Sequence, residues 1–367
     1  MKNIEKYIDI IENTYEYLES LKKENDFEYF PSRKGLTSYG RNLNLGFSTY
    51  ALKILYMLRK PEITNHDNLE LWSNYINSYQ KTLSPFPENS FIDEVMINSY
   101  KNNNLKCQFN DGVKIFLNNF SSKTFDTSRE KLQKGINAET KQAISTLQQV
   151  GYKSKLPFPV NLTSEEVLKK LNELDWSAPW SAGAQYSSYC VYSKTYNTDY
   201  SHTLTNFISG LVDENTGSYF NKFPNNNREV INGAMKVITG LDWLDERIHY
   251  PHKLIDFCLE NKPIEEGCDI VDFVYVLFKC SQETNYKRDE VNKLMLEILT
   301  LLEKLYRPSE KGFSYYNKQS QTHYYGVNIS EGKDCADIHG TLLCLWAIVM
   351  ILKNNDYIHD EYSLIKP

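Results

Sequence analysis

Seven segments of this chain start with small or polar residues and then turn apolar on nearly every side. They begin near Asn44 (NLGFSTYALKILYML), Phe91 (FIDEVMINSY), Asn137 (NAETKQAISTLQQVG), Ala182 (AGAQYSSYCVYS), Asn232 (NGAMKVITGL), Cys268 (CDIVDFVYVLFKC) and Asp334 (DCADIHGTLLCLWAIVMIL). Successive starts differ by 47, 46, 45, 50, 36 and 66 residues. A helix that is apolar all round needs cover on every face. Amphipathic stretches lie between these segments: residues 287–306 are one, and 164–174, opened by a Thr163–Glu166 capping box, are another. Residues 4–23 place Ile4, Tyr7, Ile8, Ile11, Tyr15, Leu18 and Leu21 on one stripe, and Asp67 is placed to cap a helix running to about Lys81. Strand signals are short and local, as in GFSYYNK (312–318). The pattern is a degenerate repeat, each unit an outer helix followed by an inner one.

Two geometries satisfy such a repeat. An open solenoid stacks its units in a line and needs polar ends. A closed α/α toroid puts the apolar helices inside and the amphipathic ones outside. The last helix contains the longest apolar run, Thr341 to Leu352, and would make a poor exposed end. We therefore expect an all-α fold, a single α/α-toroid domain over residues 1–367 with six or seven helical hairpins. Inner helices that run parallel bring their starts to one cavity mouth, where polar groups escape the cost of unpaired burial.

Composition narrows the partners. The formal net charge is -6, with 41 basic and 47 acidic residues mixed along the chain. No basic stripe marks a nucleic-acid surface. The run from Thr341 to Leu352 is too short for a membrane span. The N-terminal stretch alternates charged and apolar residues, unlike a signal peptide. The 7 Cys are odd in number and several fall inside apolar patterns, so free thiols in a cytoplasmic setting are expected.

Chemistry gathers at the inner helix starts. Asp334 and Asp337 are spaced to share a helix face. Asp337 suits a general acid or base and His339 a proton-transfer partner; N-terminal capping is the plain alternative, and it accounts best for Asp334. Asp269 and Asp272 repeat the spacing, again with capping as the alternative for Asp269. Two such mouths side by side would offer facing carboxylates. Cys335 and His339 lie four residues apart and, with Cys268 and Asp269 or Asp272, form a possible zinc set, although cysteine is often only a small buried residue. Trp180, Gln185 and Tyr186 could hold a substrate, whereas Trp176 reads as a loop anchor. Arg228, Asn232 and Lys236 open another inner helix. Lys236 inside an apolar pattern calls for a carboxylate or anion partner. Asn137, Glu139 and Gln142 form a similar polar start. No glycine-rich phosphate loop, Ser-His-Asp order or dinucleotide fingerprint occurs.

The Gly/aromatic loops GLVDENTGSYF (210–220) and EKGFSYYNKQSQTHYYG (310–326) precede inner helices, and EGKDCADIHGTLLCLWAIVMI opens one with an acidic-x-His-Gly layout. In this the chain resembles the terpenoid cyclase/protein prenyltransferase toroids, most clearly over residues 180–353. Their acidic Asp-x-Asp-Asp box is absent from this sequence, and no Asp-x-Cys zinc pair opens an inner helix. The resemblance implies an active site in the central cavity and a polyprenyl substrate, and it lends the zinc set the analogy of a zinc-dependent transferase. The polar mouths themselves suit a glycan. The expectation is an Asp/His acid–base enzyme acting without an obligatory cofactor on a small molecule, oligosaccharide or isoprenoid. A non-catalytic glycan- or peptide-binding ring and a scaffold that works through its outer surface are the alternatives.

Overall fold

The computed structural model describes residues 2–102, 114, 127–159, 162–264 and 266–367. In chain order its helices are α1 (Lys2–Glu19), α2 (Ser38–Asn42), α3 (Leu45–Met57), α4 (Pro61–Thr64), α5 (His66–Asn77), α6 (Glu94–Asn102), α7 (Ser128–Gln149), α8 (Ser164–Asn172), α9 (Pro179–Tyr196), α10 (Ser201–Ser209), α11 (Asn227–Leu244), α12 (Pro251–Glu260), α13 (Gly267–Glu283), α14 (Arg288–Leu305) and α15 (Ile338–Asn354). Three antiparallel pairs of two-residue strands clip the loops: β1 (Gln80–Lys81) with β2 (Ser90–Phe91), β3 (Tyr306–Arg307) with β4 (Gly312–Phe313), and β5 (His323–Tyr324) with β6 (Val327–Asn328). Among the described residues, no helix is long and apolar enough to cross a membrane.

The long apolar helices pack on one another in sequence. α3 contacts α7, α7 contacts α9, α9 contacts α11, α11 contacts α13, α13 contacts α15, and α15 returns to α3. The amphipathic helices cover this set. α15 touches α1 and α14 as well as α3 and α13. Covered on so many sides, it has no face left for polar residues, which is why its sequence is apolar all round. Each fully buried Leu, Ile or Phe contributes about 1.5–3 kcal/mol. α9 and α11 approach through glycines. A Cβ on Gly233 would stand 2.6 Å from Cβ of Pro179, and one on Gly183 would stand 3.0 Å from Cβ of Lys236.

Several sequence boundaries shift, each for a local reason. Phe91 begins no inner helix: it pairs with Gln80 in a strand, and α6 starts at Glu94 outside the circuit of contacts. That leaves six helices in the circuit rather than seven. Asn137 lies inside α7, because a Thr127–Glu130 capping box starts that helix upstream. Asn65, rather than Asp67, caps α5 through Asn68 N–H. The Thr163–Glu166 box forms as expected and opens α8. The last helix starts at Ile338, not Asp334, with Asp337 as its N-cap. Asp334 and Asp337 therefore share no helix face.

Candidate functional site

A cavity of about 450 Å³ lies among the six helices, and each of them lines it. α3 supplies Tyr50 and Lys53; α7 supplies Lys141, Gln142 and Ser145; α9 supplies Trp180, Ser187 and Ser188; α11 supplies Met235 and Lys236; α13 supplies Cys268, Val271 and Asp272; α15 supplies His339, Leu342, Leu343 and Trp346. Trp180, Cys268 and His339 stand in the first turns of their helices. Ile365 and Pro367 line the opposite end. That tail is held at the far ends of α7 and α11, where Lys366 N–H donates to Gln149 (2.6 Å) and Trp243 Nε1 donates to the Pro367 carbonyl (3.0 Å). Tyr324 and Tyr325, from the loop before α15, complete the wall. An adjoining vestibule of about 340 Å³ shares Ala138, Ser181, Ala184, Ser188 and Tyr325 with the cavity and adds Lys131, Asn137 and Gln185.

Asp272 and His339 are the expected acid–base residues that reach this cavity. Asp272 is buried, with Oδ1 at 3.5 Å from Lys236 Nζ and Oδ2 without a partner. Burial pushes its carboxyl up to about 6, against the pull of Lys236. His339 stacks on Tyr50, with ring centres 4.7 Å apart and planes 8° from parallel, and Tyr315 stands on another side at 5.1 Å. Burial pushes the imidazole down to about 3, helped by the Lys236 and Lys53 cations, and its Nδ1 has no partner. His339 is thus a neutral ring at neutral pH.

The other expected catalytic acids serve elsewhere. Asp337 is buried, and its carboxylate is filled by main-chain donors: Gly340 N–H at 2.7 Å on Oδ1, and Tyr315 N–H (2.7 Å) and Gln321 N–H (3.0 Å) on Oδ2. It caps α15 and clasps the preceding loop, and it is absent from the cavity wall. Asp334 is exposed and pairs with Arg307 at 2.7 Å. Asp269 accepts from Arg228 Nε (2.6 Å), Ile264 N–H (2.6 Å) and Asn232 Nδ2 (3.4 Å). Arg228 also holds Glu266 at 2.7 Å. Asp269, Arg228 and Asn232 therefore lock the start of α11 to the start of α13, beside a separate cavity of about 130 Å³. Asp269 and Asp272 share a helix but meet different cations, Asp269 the Arg228 guanidinium and Asp272 the Lys236 ammonium.

The remaining candidates divide in the same way. Trp180 lines the cavity and is 40% exposed, while Gln185 borders only the vestibule. Tyr186 is buried between α9 and α11, edge-on to Trp176, whose Nε1 anchors to the Leu171 carbonyl. Glu139 is buried outside the cavity wall, and burial with nearby Asp93 pushes its carboxyl well up. The possible zinc residues do not converge: Cys268 and His339 reach the cavity, Cys335 does not. Among the described residues, no three His, Cys, Asp or Glu side chains are grouped to hold a metal.

Lys53 and Lys141 are the site residues that sequence reasoning passed over. Lys53 is 6% exposed, and burial pushes its ammonium down to about 8. Burial, with Lys53 and Lys236 nearby, pushes Lys141 far down. For Lys53 the signal was present, since it interrupts the apolar run ALKILYML as Lys236 does in its own helix; Lys141 stands among polar residues in ETKQAISTL and carried no such signal. Compared with known proteins, the chain matches no family model, no curated protein and no solved structure.

Proposed function

We propose that the chain is an α/α toroid of the terpenoid cyclase/prenyltransferase-like kind and an enzyme that works by proton transfer in its central cavity. The circuit of helix contacts that returns to α3 supports the toroid. One observation carries the activity: Asp272 lines a cavity that all six helices line, and its buried Oδ2 has no hydrogen-bond partner. A carboxyl held near 6 exchanges its proton readily around neutral pH. Asp272 acts as the general base, and Lys236 beside it steadies the charge that develops. The neutral His339 orients the substrate through Nδ1, its ring fixed between two tyrosines. Val271, Met235, Leu342, Leu343 and Trp346 make much of the wall apolar, which favours a substrate with an apolar, isoprenoid-like body over a bare glycan.

The test incubates purified protein with small-molecule extracts and follows consumption by mass spectrometry, native chain against Asp272→Asn. A compound consumed by the native chain should be consumed about 10²–10⁴-fold more slowly by the variant. Equal consumption by both removes Asp272 from the chemistry. A compound that both bind and neither consumes makes the cavity a binding site without catalysis.

A further inference from the structure

The charges around the cavity do not balance. Lys53, Lys141 and Lys236 enter it from three different helices, and among the described residues Asp272 is the only one that brings a side-chain carboxylate to its wall. Lys236 has Asp272 at 3.5 Å. Among the described residues, Lys53 and Lys141 have neither a hydrogen-bonding nor an ion-pair partner. Other groups near them supply no countercharge: His339 is neutral, and Tyr50, Tyr324, Tyr325, Cys190 and Cys268 are pushed towards their protonated forms. A buried amine without a partner is costly when charged, and three amines converging on one space repel one another when they are. A fold that only needed to fill this space would place methionine or leucine there. A ligand that brings negative charge removes both penalties at once.

We infer that the cavity takes a ligand with an oxyanion head, carboxylate or phosphate, held among Lys53, Lys141 and Lys236, with its apolar body along Leu342, Leu343 and Trp346. This rests on the proposed use of the cavity as the active site and names the class of its substrate. Burial and the neighbouring lysines push the Lys141 ammonium down, and burial pushes Lys53 down to about 8, so both release their protons more readily than ordinary lysines do. The anion therefore draws protons in with it, and binding is linked to proton uptake. Affinity falls as pH rises from 7 to 10, because the protons that the bound state needs become scarcer.

The experiment uses three probes with one body: 1-naphthyl phosphate, 1-naphthoate and neutral 1-naphthol. Each is titrated calorimetrically into the full chain in two buffers of different ionisation heat. At least one anionic probe should bind ten times or more tighter than 1-naphthol, with a buffer-dependent heat reporting proton uptake. The preferred head, phosphate or carboxylate, identifies the source of the oxyanion. Lys53→Met with Lys141→Met should erase the preference and leave 1-naphthol binding within about twofold. Lys53→Gln and Lys141→Gln serve if the double variant does not melt cooperatively. If 1-naphthol binds as tightly as both anions, or the lysine variants keep the preference, the oxyanion inference falls and the cavity reading stands. If none of the three binds, the inference falls as well, and the consumption test with Asp272→Asn then decides the cavity reading by itself.

Discussion

Asp337 and Asp272 begin alike and end differently. Both are buried aspartates at the start of an inner apolar helix, and in both burial pushes the carboxyl up to about 6. Asp337 is surrounded by main-chain donors and fills both oxygens with them. Asp272 has one lysine at hydrogen-bonding limit and one oxygen with nothing. The first is a fastener and the second is a tool. Burial and pKa do not separate them; the count of donors does. A saturated carboxylate has no capacity left for a substrate, whereas an unsaturated one inside a cavity has that capacity and bears the cost of it.

The comparison breaks most easily at the fastener. Asp337→Ala removes the N-cap of α15 and orphans the Tyr315, Gln321 and Gly340 N–H groups together. A cap is worth about 1 kcal/mol and each buried unmade hydrogen bond about 1–3 kcal/mol. The expected loss is about 3–5 kcal/mol, read as a fall in the urea midpoint at constant slope. A loss below about 1 kcal/mol would mean that water replaces those bonds, and the contrast with Asp272 would dissolve.

Both aspartates were legible from the sequence as acids at helix mouths, but their difference was not. What separates them comes from the partner segment: Tyr315 and Gln321 of the preceding loop donate main-chain N–H groups to Asp337, while Oδ2 of Asp272 receives no donor. That distant pairing leaves no trace in local spacing. The apolar helices were legible because all-round cover demands all-round apolarity, and the capping box at Thr163 because it is complete within four residues. The start of α7 was misplaced because polar residues inside a helix, such as Glu139 and Gln142, look like a start when one of their partners is Tyr324, far along the chain. Lys53 obeyed the same rule that singled out Lys236, whereas Lys141 was masked by the polar residues beside it. Both differ from Lys236 in having no ion-pair partner among the described residues, which only coordinates reveal.

The next effect has the opposite sign. Lys53 is titrated downwards by burial, from 10.5 to about 8. For a base depressed in the folded state, that contribution to stability is present above the unfolded pKa and is lost as pH falls through the folded one. At pH 7 the cost is carried in full. Lys53→Met should therefore stabilise the chain by about 2–3 kcal/mol at pH 7, since one pKa unit is about 1.4 kcal/mol. By pH 10.5 the gain should have shrunk to a small remainder. Thermal melts across that range read it directly; a variant that melts lower than the native chain at pH 7 would show that Lys53 has a partner worth keeping.

Asp272→Asn sharpens the comparison from the tool's side. An acid raised from 3.8 to about 6 adds stability below pH 4 that is lost as pH rises through 6. The asparagine has no such loss. The variant should match the native chain near pH 4 and gain on it by about 1–2 kcal/mol at pH 7, less than the shift alone gives, because Lys236 loses its neighbour. His339, depressed to about 3, tilts stability the other way over pH 3 to 6.5. Its tilt is common to both proteins and cancels in their difference. Urea midpoints at half-unit pH steps give the difference curve, and a flat curve would remove Asp272 from the titrating groups.

Asp334 supplies the smallest effect and the control for both others. It stands three residues before the fastener, and sequence spacing gave it the same promise. Its side chain is 57% exposed, and its partner Arg307 also bonds to the Lys304 and Tyr306 carbonyls. Arg307 is therefore positioned without it. An exposed ion pair of this kind is worth about 0–1 kcal/mol and weakens with salt. Asp334→Asn should cost less than about 0.5 kcal/mol at 0.15 M salt and nothing measurable at 1 M. A cost near that of Asp337→Ala would mean that the whole 334–337 turn acts as one clasp, and that the donor count on a single carboxylate is too narrow a criterion for telling fasteners from tools.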